Sequence, residues 1–219
     1  LYSTGVNGSN AYVLAFATTS YAYVSDLAIV ATSSNPVLFY SSASSTLENV
    51  RTSASGEIRI TATSTRNVIR NNIFDNNFTL TIANFIFNST LTQNVISGNT
   101  ISGNATLENG PSNTLTNNNI LGSLTIEYAS STLISQNLLA NGLTMTNSDY
   151  SIISGNKSYS SILFSTGGSP SQYVVVSGNQ VIGGSIQGPG GDGASVTGNT
   201  VIGGNIALGS GGTVNNAVA

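Results

Sequence analysis

Cysteine, histidine and tryptophan are missing from this 219-residue chain, and charged residues make up only 6% of it. Without thiols no disulfide holds the fold together. Without thiol or imidazole there is no Cys nucleophile, no Ser-His-Asp triad and no zinc site of the usual nitrogen and sulfur kind. Five cations against eight acids, a net charge of −3, leave no basic face for a nucleic-acid backbone. The longest wholly apolar run, Ala11 to Ala17, falls far short of the roughly 18 residues a membrane helix needs, so no membrane span is expected. No basic segment followed by an apolar one opens the chain at Leu1, so the expectation is a signal already removed or none. What is abundant is polar and small: 28 Asn, 34 Ser, 25 Thr and 24 Gly make up half the residues. A hydrophobic fraction of 39% still supplies a core. The length permits a single domain if the chain is all-β.

One Asn recurs in a constant setting, at Asn99, Asn118, Asn137, Asn156, Asn179 and Asn199, with intervals of 19, 19, 19, 23 and 20 residues. Asn71-Asn-Ile-Phe-Asp fits the same frame upstream, and Asn49-Val-Arg and Asp26-Leu-Ala-Ile are weaker copies. Registered on that Asn, the units show apolar columns. Three residues earlier stand Ile96, Leu115, Ile134, Ile153, Val176 and Val196, and two residues later Ile101, Ile120, Leu139, Ser158, Val181 and Val201. Within each unit the apolar positions alternate, which is strand periodicity. A unit of about twenty residues cannot bury its apolar face alone, but stacked units can. The pattern therefore predicts an all-β solenoid of about 8–9 coils of 19–23 residues, with three short strands per coil. Pro111, Pro170 and Pro189 fall where coil length varies, and Pro36 lies between strand-like runs.

Asn and Gly tolerate the left-handed backbone that a sharp bend between strands demands, and stacked amides can bond to the coils above and below. Asn99, Asn118, Asn137, Asn156, Asn179 and Asn199 are thus expected to form an internal ladder. These Asn-x-Ile/Val-x-Gly units resemble the right-handed parallel β-helix (pectin-lyase-like) superfamily, in particular its carbohydrate-binding and periplasmic copper-protein-type repeats, over roughly residues 25 to 216. The resemblance implies a single-stranded right-handed parallel β-helix. It says little about activity, because the superfamily spans polysaccharide lyases and hydrolases, tailspikes, adhesins and surface proteins.

A polysaccharide-active member would show clustered carboxylates. Glu108 and Glu127 both stand nine residues after their Asn, so they should stack on adjacent coils, and Asp149 should lie nearby. That trio is a weak candidate for catalysis or for a cation. Neither Glu has a nearby candidate base, and alignment by chance is the simpler account, so no catalytic residue, cofactor or metal is assigned. Arg51, Arg59, Arg66 and Arg70 fall within one twenty-residue stretch, and pairing with Glu48, Glu57 and Asp75 is favoured over an anion site. Sequons occur at Asn7, Asn77, Asn88, Asn104 and Asn156. Asn77, Asn88 and Asn104 are the better glycosylation candidates, because Asn156 belongs to the ladder. Tyr40, Tyr128, Tyr150, Tyr159 and Tyr173 could line a sugar-binding groove but do not share a column on this count.

Residues 1–24 read as an N-terminal strand, cap or donated segment, and 25–219 as the β-helix. Edge charges are scarce at both ends, where a solenoid presents unpaired backbone. The expectation is a structural subunit of an extracellular or cell-surface filament that polymerises with itself, head to tail or by strand exchange. A glycan-binding adhesin is the first alternative, and a polysaccharide lyase or hydrolase the second.

Overall fold

The computed structural model describes residues 12–30, 35–52, 57–75, 79–82, 91–164, 171–188, 193–209 and 213–218. Apolar side chains at every second position commit each segment to a strand with one inward face. No helix occurs among the described residues. Ten strands form one parallel sheet: Tyr12–Ala17, Asn35–Tyr40, Glu57–Thr61, Thr79–Ile82, Ala105–Glu108, Leu124–Glu127, Leu143–Thr146, Ile162–Phe164, Ile186–Gly188 and Ile206–Leu208. A second parallel sheet is bent, and each of its rungs has two arms, such as Val95–Ser97 with Thr100–Ile101 or Leu133–Ser135 with Leu138–Leu139. The chain alternates between the two sheets, which makes it a parallel β-solenoid.

Registration is residue on residue. Leu14, Val37, Ile58, Leu80, Ala105, Leu124, Leu143, Ile162, Ile186 and Ile206 pair in succession and form one aliphatic column through the interior. A second column runs from Val24 through Leu47, Ile69, Ile96, Leu115, Ile134, Ile153, Val176 and Val196 to Val214 in Thr213–Val218. Phe16 stacks on Phe39 with ring centroids 4.3 Å apart.

The Asn ladder sits at the bend of the second sheet. On each rung the residue before it takes left-handed backbone, at φ 57° for Asn117, 56° for Gln136 and 64° for Gly178. The ladder Asn then turns inward and is buried. The Asn118 backbone N–H and Nδ2–H both donate to Asn137 Oδ1, at 2.9 and 3.0 Å. Asn137 Nδ2 in turn donates back to the Leu115 carbonyl at 2.9 Å and forward to Asn156 Oδ1 at 3.0 Å. The same set recurs from Asn72 through Asn99, Asn156 and Asn179 to Asn199.

Upstream of Asn99 the frame shifts by one residue. Asn72, not Asn71, occupies the ladder, and Val50 and Leu27, not Asn49 and Asp26, continue its column. Asn71, Asn49 and Asp26 hold the left-handed bend instead, at φ 56°, 52° and 55°. The ladder ends where Val50 N–H donates to Asn72 Oδ1 at 2.8 Å. A second buried ladder was not expected. Asn67 donates to Asn94 Oδ1 at 3.0 and 3.1 Å, and Asn94 to Asn113 Oδ1 at 2.8 and 3.0 Å. Thr132 and Ser151 continue this column, joined by a 3.2 Å bond from Thr132 N–H to Ser151 Oγ. Pro36 also differs from expectation, because it lies inside Asn35–Tyr40. Pairing with the neighbouring strand involves Asn35 and Val37 on either side of it, so its missing N–H interrupts nothing there. Pro170 and Pro189 lie outside the described residues.

Thr52 breaks the apolar column between Ile29 and Phe74, and its buried hydroxyl has no hydrogen-bond partner. Thr52→Val replaces that hydroxyl by a methyl of similar size. It is expected to stabilise the fold by about 1 kcal/mol, read as a higher urea midpoint at unchanged slope.

Candidate functional site

The two axial ends are where the sheets run out of partners. Among the described residues, Tyr12–Ala17 pairs with Asn35–Tyr40 on one side only, and Ile206–Leu208 pairs only with Ile186–Gly188. The interior columns reach both ends. Leu14, Val24 and Leu27 are only half-buried, although their neighbours one rung inward, Val37, Leu47 and Val50, are fully covered. Ile206 and Leu208 are half-buried at the other end, against a buried Ile186. The hydrophobic interior is therefore partly open along the axis at the first described rung and beside Ile206–Leu208, whereas in the other sheet Thr213–Val218 pairs over the buried Val196 and Val201.

Eight of the thirteen charged residues lie between Asp26 and Asp75, and two ion pairs form there. Arg51 bonds Asp75 through Nε and Nη2 at 3.1 and 2.9 Å. Arg70 Nη2 donates to Glu48 Oε2 at 2.8 Å, and the Tyr23 hydroxyl donates to the same oxygen at 3.0 Å. These contacts bear out the pairing expected of the basic stretch for Arg51 and Arg70. The Arg70 guanidinium, aided by the Tyr23 hydroxyl and opposed by partial desolvation, holds the Glu48 carboxyl below the usual carboxylate range. A carboxyl pKa depressed in the folded state contributes stability above the unfolded pKa of about 4.3, and that stability is lost as pH falls through the folded value. Glu48→Gln is therefore expected to be less stable than wild type at pH 7, with the difference shrinking as pH falls below about 4 in parallel urea melts. The effect is small because the pair is at the surface, with Arg70 47% exposed.

Glu108 and Glu127 stand opposite one another on adjacent strands, as their common offset requires. The next rung carries Thr146 in that column, and Glu108 Oε1 accepts a bond from Asn109 Nδ2 at 3.2 Å. Asp149 sits at another corner, where its Oδ1 accepts from Gln172 N–H at 2.7 Å. No group of three or more metal-ligating side chains is assembled among the described residues.

The tyrosines depart from expectation. Tyr150 and Tyr173 do share a column, each six residues before its ladder Asn, and their rings stack at 5.0 Å and 7°. Both stay well exposed, at 61% and 47%. Tyr159 lies apart, with Lys157 Nζ 5.0 Å from its ring centre. Of the glycosylation candidates, Asn104 is exposed at a turn, where its Oδ1 accepts from Ser123 N–H at 2.9 Å. Asn77 and Asn88 lie outside the described residues. Asn156 is buried, with Nδ2 donating to Ile134 O and Asn179 Oδ1.

No helix among the described residues is long and apolar enough to cross a membrane. No protein-family model matches the chain, and no curated protein does. One solved structure is similar: HetL, a pentapeptide repeat protein involved in heterocyst differentiation regulation from the cyanobacterium Nostoc sp.. The match has 11% identity and a TM-score of 0.28, and covers 90% of this chain and 87% of that one. The strand order and register described above make the chain a parallel β-solenoid with an internal amide ladder.

Proposed function

We propose that the chain is a structural subunit of an extracellular filament or surface assembly, built by end-to-end stacking of solenoids of the pectin-lyase-like kind. The supporting observation is the aliphatic column from Leu14 to Ile206, buried along its length and half-open at both terminal members. A second copy placed on either end would extend every column by another rung and cover those side chains. The contact is heterologous and does not close, so it generates a fibre and not a ring of fixed size. The low charge of the chain leaves little repulsion between stacked copies.

Mixing complementary variants tests this. Leu14→Lys places a charge at one end and Ile206→Lys at the other. Wild type is expected to form filaments in electron micrographs, while each variant alone stays at the 22.3 kDa monomer by sedimentation. An equimolar mixture should yield a dimer and nothing longer, because each variant keeps one competent end. Wild-type protein that remains monomeric at high concentration would sink the reading. Exposure of Asn104 in Asn104-Ala-Thr106 suits an exported protein, and intact-mass measurement of material from the native source checks it. The stacked Tyr150 and Tyr173 favour a glycan-binding adhesin as the second reading, which a glycan array would test.

A further inference from the structure

We infer that the outer face of the first arm of the bent sheet is a self-docking strip, which pairs two stacked solenoids side by side with their axes parallel. This rests on the end-to-end reading for its strength, though not for its geometry. On six consecutive rungs the strands present two outward columns on either side of the buried one. The first holds Val95, Thr114, Leu133, Ile152, Val175 and Ser195. The second holds Ser97, Thr116, Ser135, Ser154, Ser177 and Thr197, a hydroxyl on every rung.

Two features set this face apart from the other outer faces of the described residues. It carries no charge over those six rungs, whereas on the same rungs the outer face of the other sheet carries Glu108 and Glu127, and the second arm carries Lys157. The Glu48–Arg70 pair occupies the hydroxyl column just before the strip begins and marks its N-terminal limit. The columns also differ in size on four of the six rungs, where Val95, Leu133, Ile152 and Val175 stand beside Ser97, Ser135, Ser154 and Ser177. Ile152 is left 42% exposed, while Ser135 Oγ donates to Thr116 Oγ1 at 3.2 Å, so part of the hydroxyl column is satisfied without water.

Those features specify the partner. A two-fold axis along the strip, between the columns, sets the aliphatic column of each copy opposite the hydroxyl column of the other. Large side chains then enter the space over small ones, as in the dry interfaces of stacked sheets. The same operation keeps both solenoids pointing the same way. Six rungs at about 4.8 Å and two columns about 7 Å apart give a strip on the order of 300 Å² per copy. A stable complex buries about 800 Å² per partner, so isolated chains pair only weakly. Stacked subunits add one strip each in fixed alignment, and the contacts act together. Pairing is therefore a property of the polymer, and the occupant is a second copy of this chain.

Cross-linking and microscopy test the strip separately from the stacking. The chain has no cysteine, so Ser154→Cys and, as a control on the other sheet, Thr125→Cys each give one thiol per molecule. With a short bismaleimide at high protein concentration, Ser154→Cys should form severalfold more covalent dimer than Thr125→Cys. Wild-type filaments should be paired and parallel, and Ser154→Lys should give single filaments of unchanged length. Equal cross-linking at the two positions overturns the strip, as do unpaired wild-type filaments. Enrichment at position 154 with no filaments at all keeps the strip and sinks only the end-to-end reading.

Discussion

Asn137→Ala is expected to cost about 3–6 kcal/mol, because truncation strips partners from several buried groups together, each worth about 1–3 kcal/mol when left unsatisfied. The Asn118 backbone N–H and one Nδ2–H lose Asn137 Oδ1 as their acceptor. The Leu115 carbonyl and Asn156 Oδ1 each lose a donor. The cavity left by the missing amide adds to this. Asn141→Ala, four residues on, is the control. Asn141 is exposed and its amide makes one 3.2 Å bond to the Leu121 carbonyl, so its loss should stay within about 0.5 kcal/mol. Asn137→Asp separates the two halves of the amide. It keeps an acceptor toward Asn118 but turns a second oxygen toward two acceptors, so ionisation is disfavoured in the fold. The variant carboxyl is raised in the folded state, which binds its proton more tightly than the unfolded chain does. Stability of Asn137→Asp should therefore fall as pH rises above about 4, with wild type as the flat reference. Urea midpoints between pH 3 and 7 measure all three variants.

The ladder was legible because a side chain that must face inward on every coil recurs with the period of the coil. The one-residue error at Asn71 has a physical origin. Asn suits both the left-handed bend and the buried position after it, and Asn71-Asn72 and Asn117-Asn118 carry both. Only strand register decides which is which. The second ladder escaped notice because its column changes identity, passing from Asn67, Asn94 and Asn113 to Thr132, Ser151, Val174 and Ala194. Counting five residues back from each ladder Asn would have exposed it. The Tyr150–Tyr173 column was lost by counting forward from the previous Asn across a 23-residue coil, in which the extra residues fall between. Glu108 and Glu127 were legible for the opposite reason, since the coils between them are equal in length. The half-open ends were foreshadowed by nothing more than scarce edge charge, because interior periodicity is silent on where a stack stops.

Gly142→Ala is the other substitution with a large expected effect, about 3–5 kcal/mol, and it distinguishes two uses of glycine in this fold. Gly142 has φ +84°, and an added Cβ would run into the Ser161 carbonyl oxygen and approach Ser160 Cβ to 3.2 Å. That carbonyl accepts the Leu143 N–H at 3.0 Å, so it cannot retreat without opening the ladder between rungs. A left-handed backbone costs an L-residue roughly 1–2 kcal/mol, and overpacking against fixed backbone adds about 1–3 kcal/mol. Gly178 shares only the first of these problems. Its φ is +64°, but nothing stands within 4 Å of an added Cβ. Asn117 and Gln136 already occupy the equivalent position on other rungs at φ 57° and 56°. Gly178→Asn should therefore change stability by less than about 1 kcal/mol, and reducing the freedom of the unfolded chain biases the change toward stabilisation. If both variants unfolded at the same urea concentration, backbone conformation alone would account for glycine at these corners, and close approach between coils would contribute nothing.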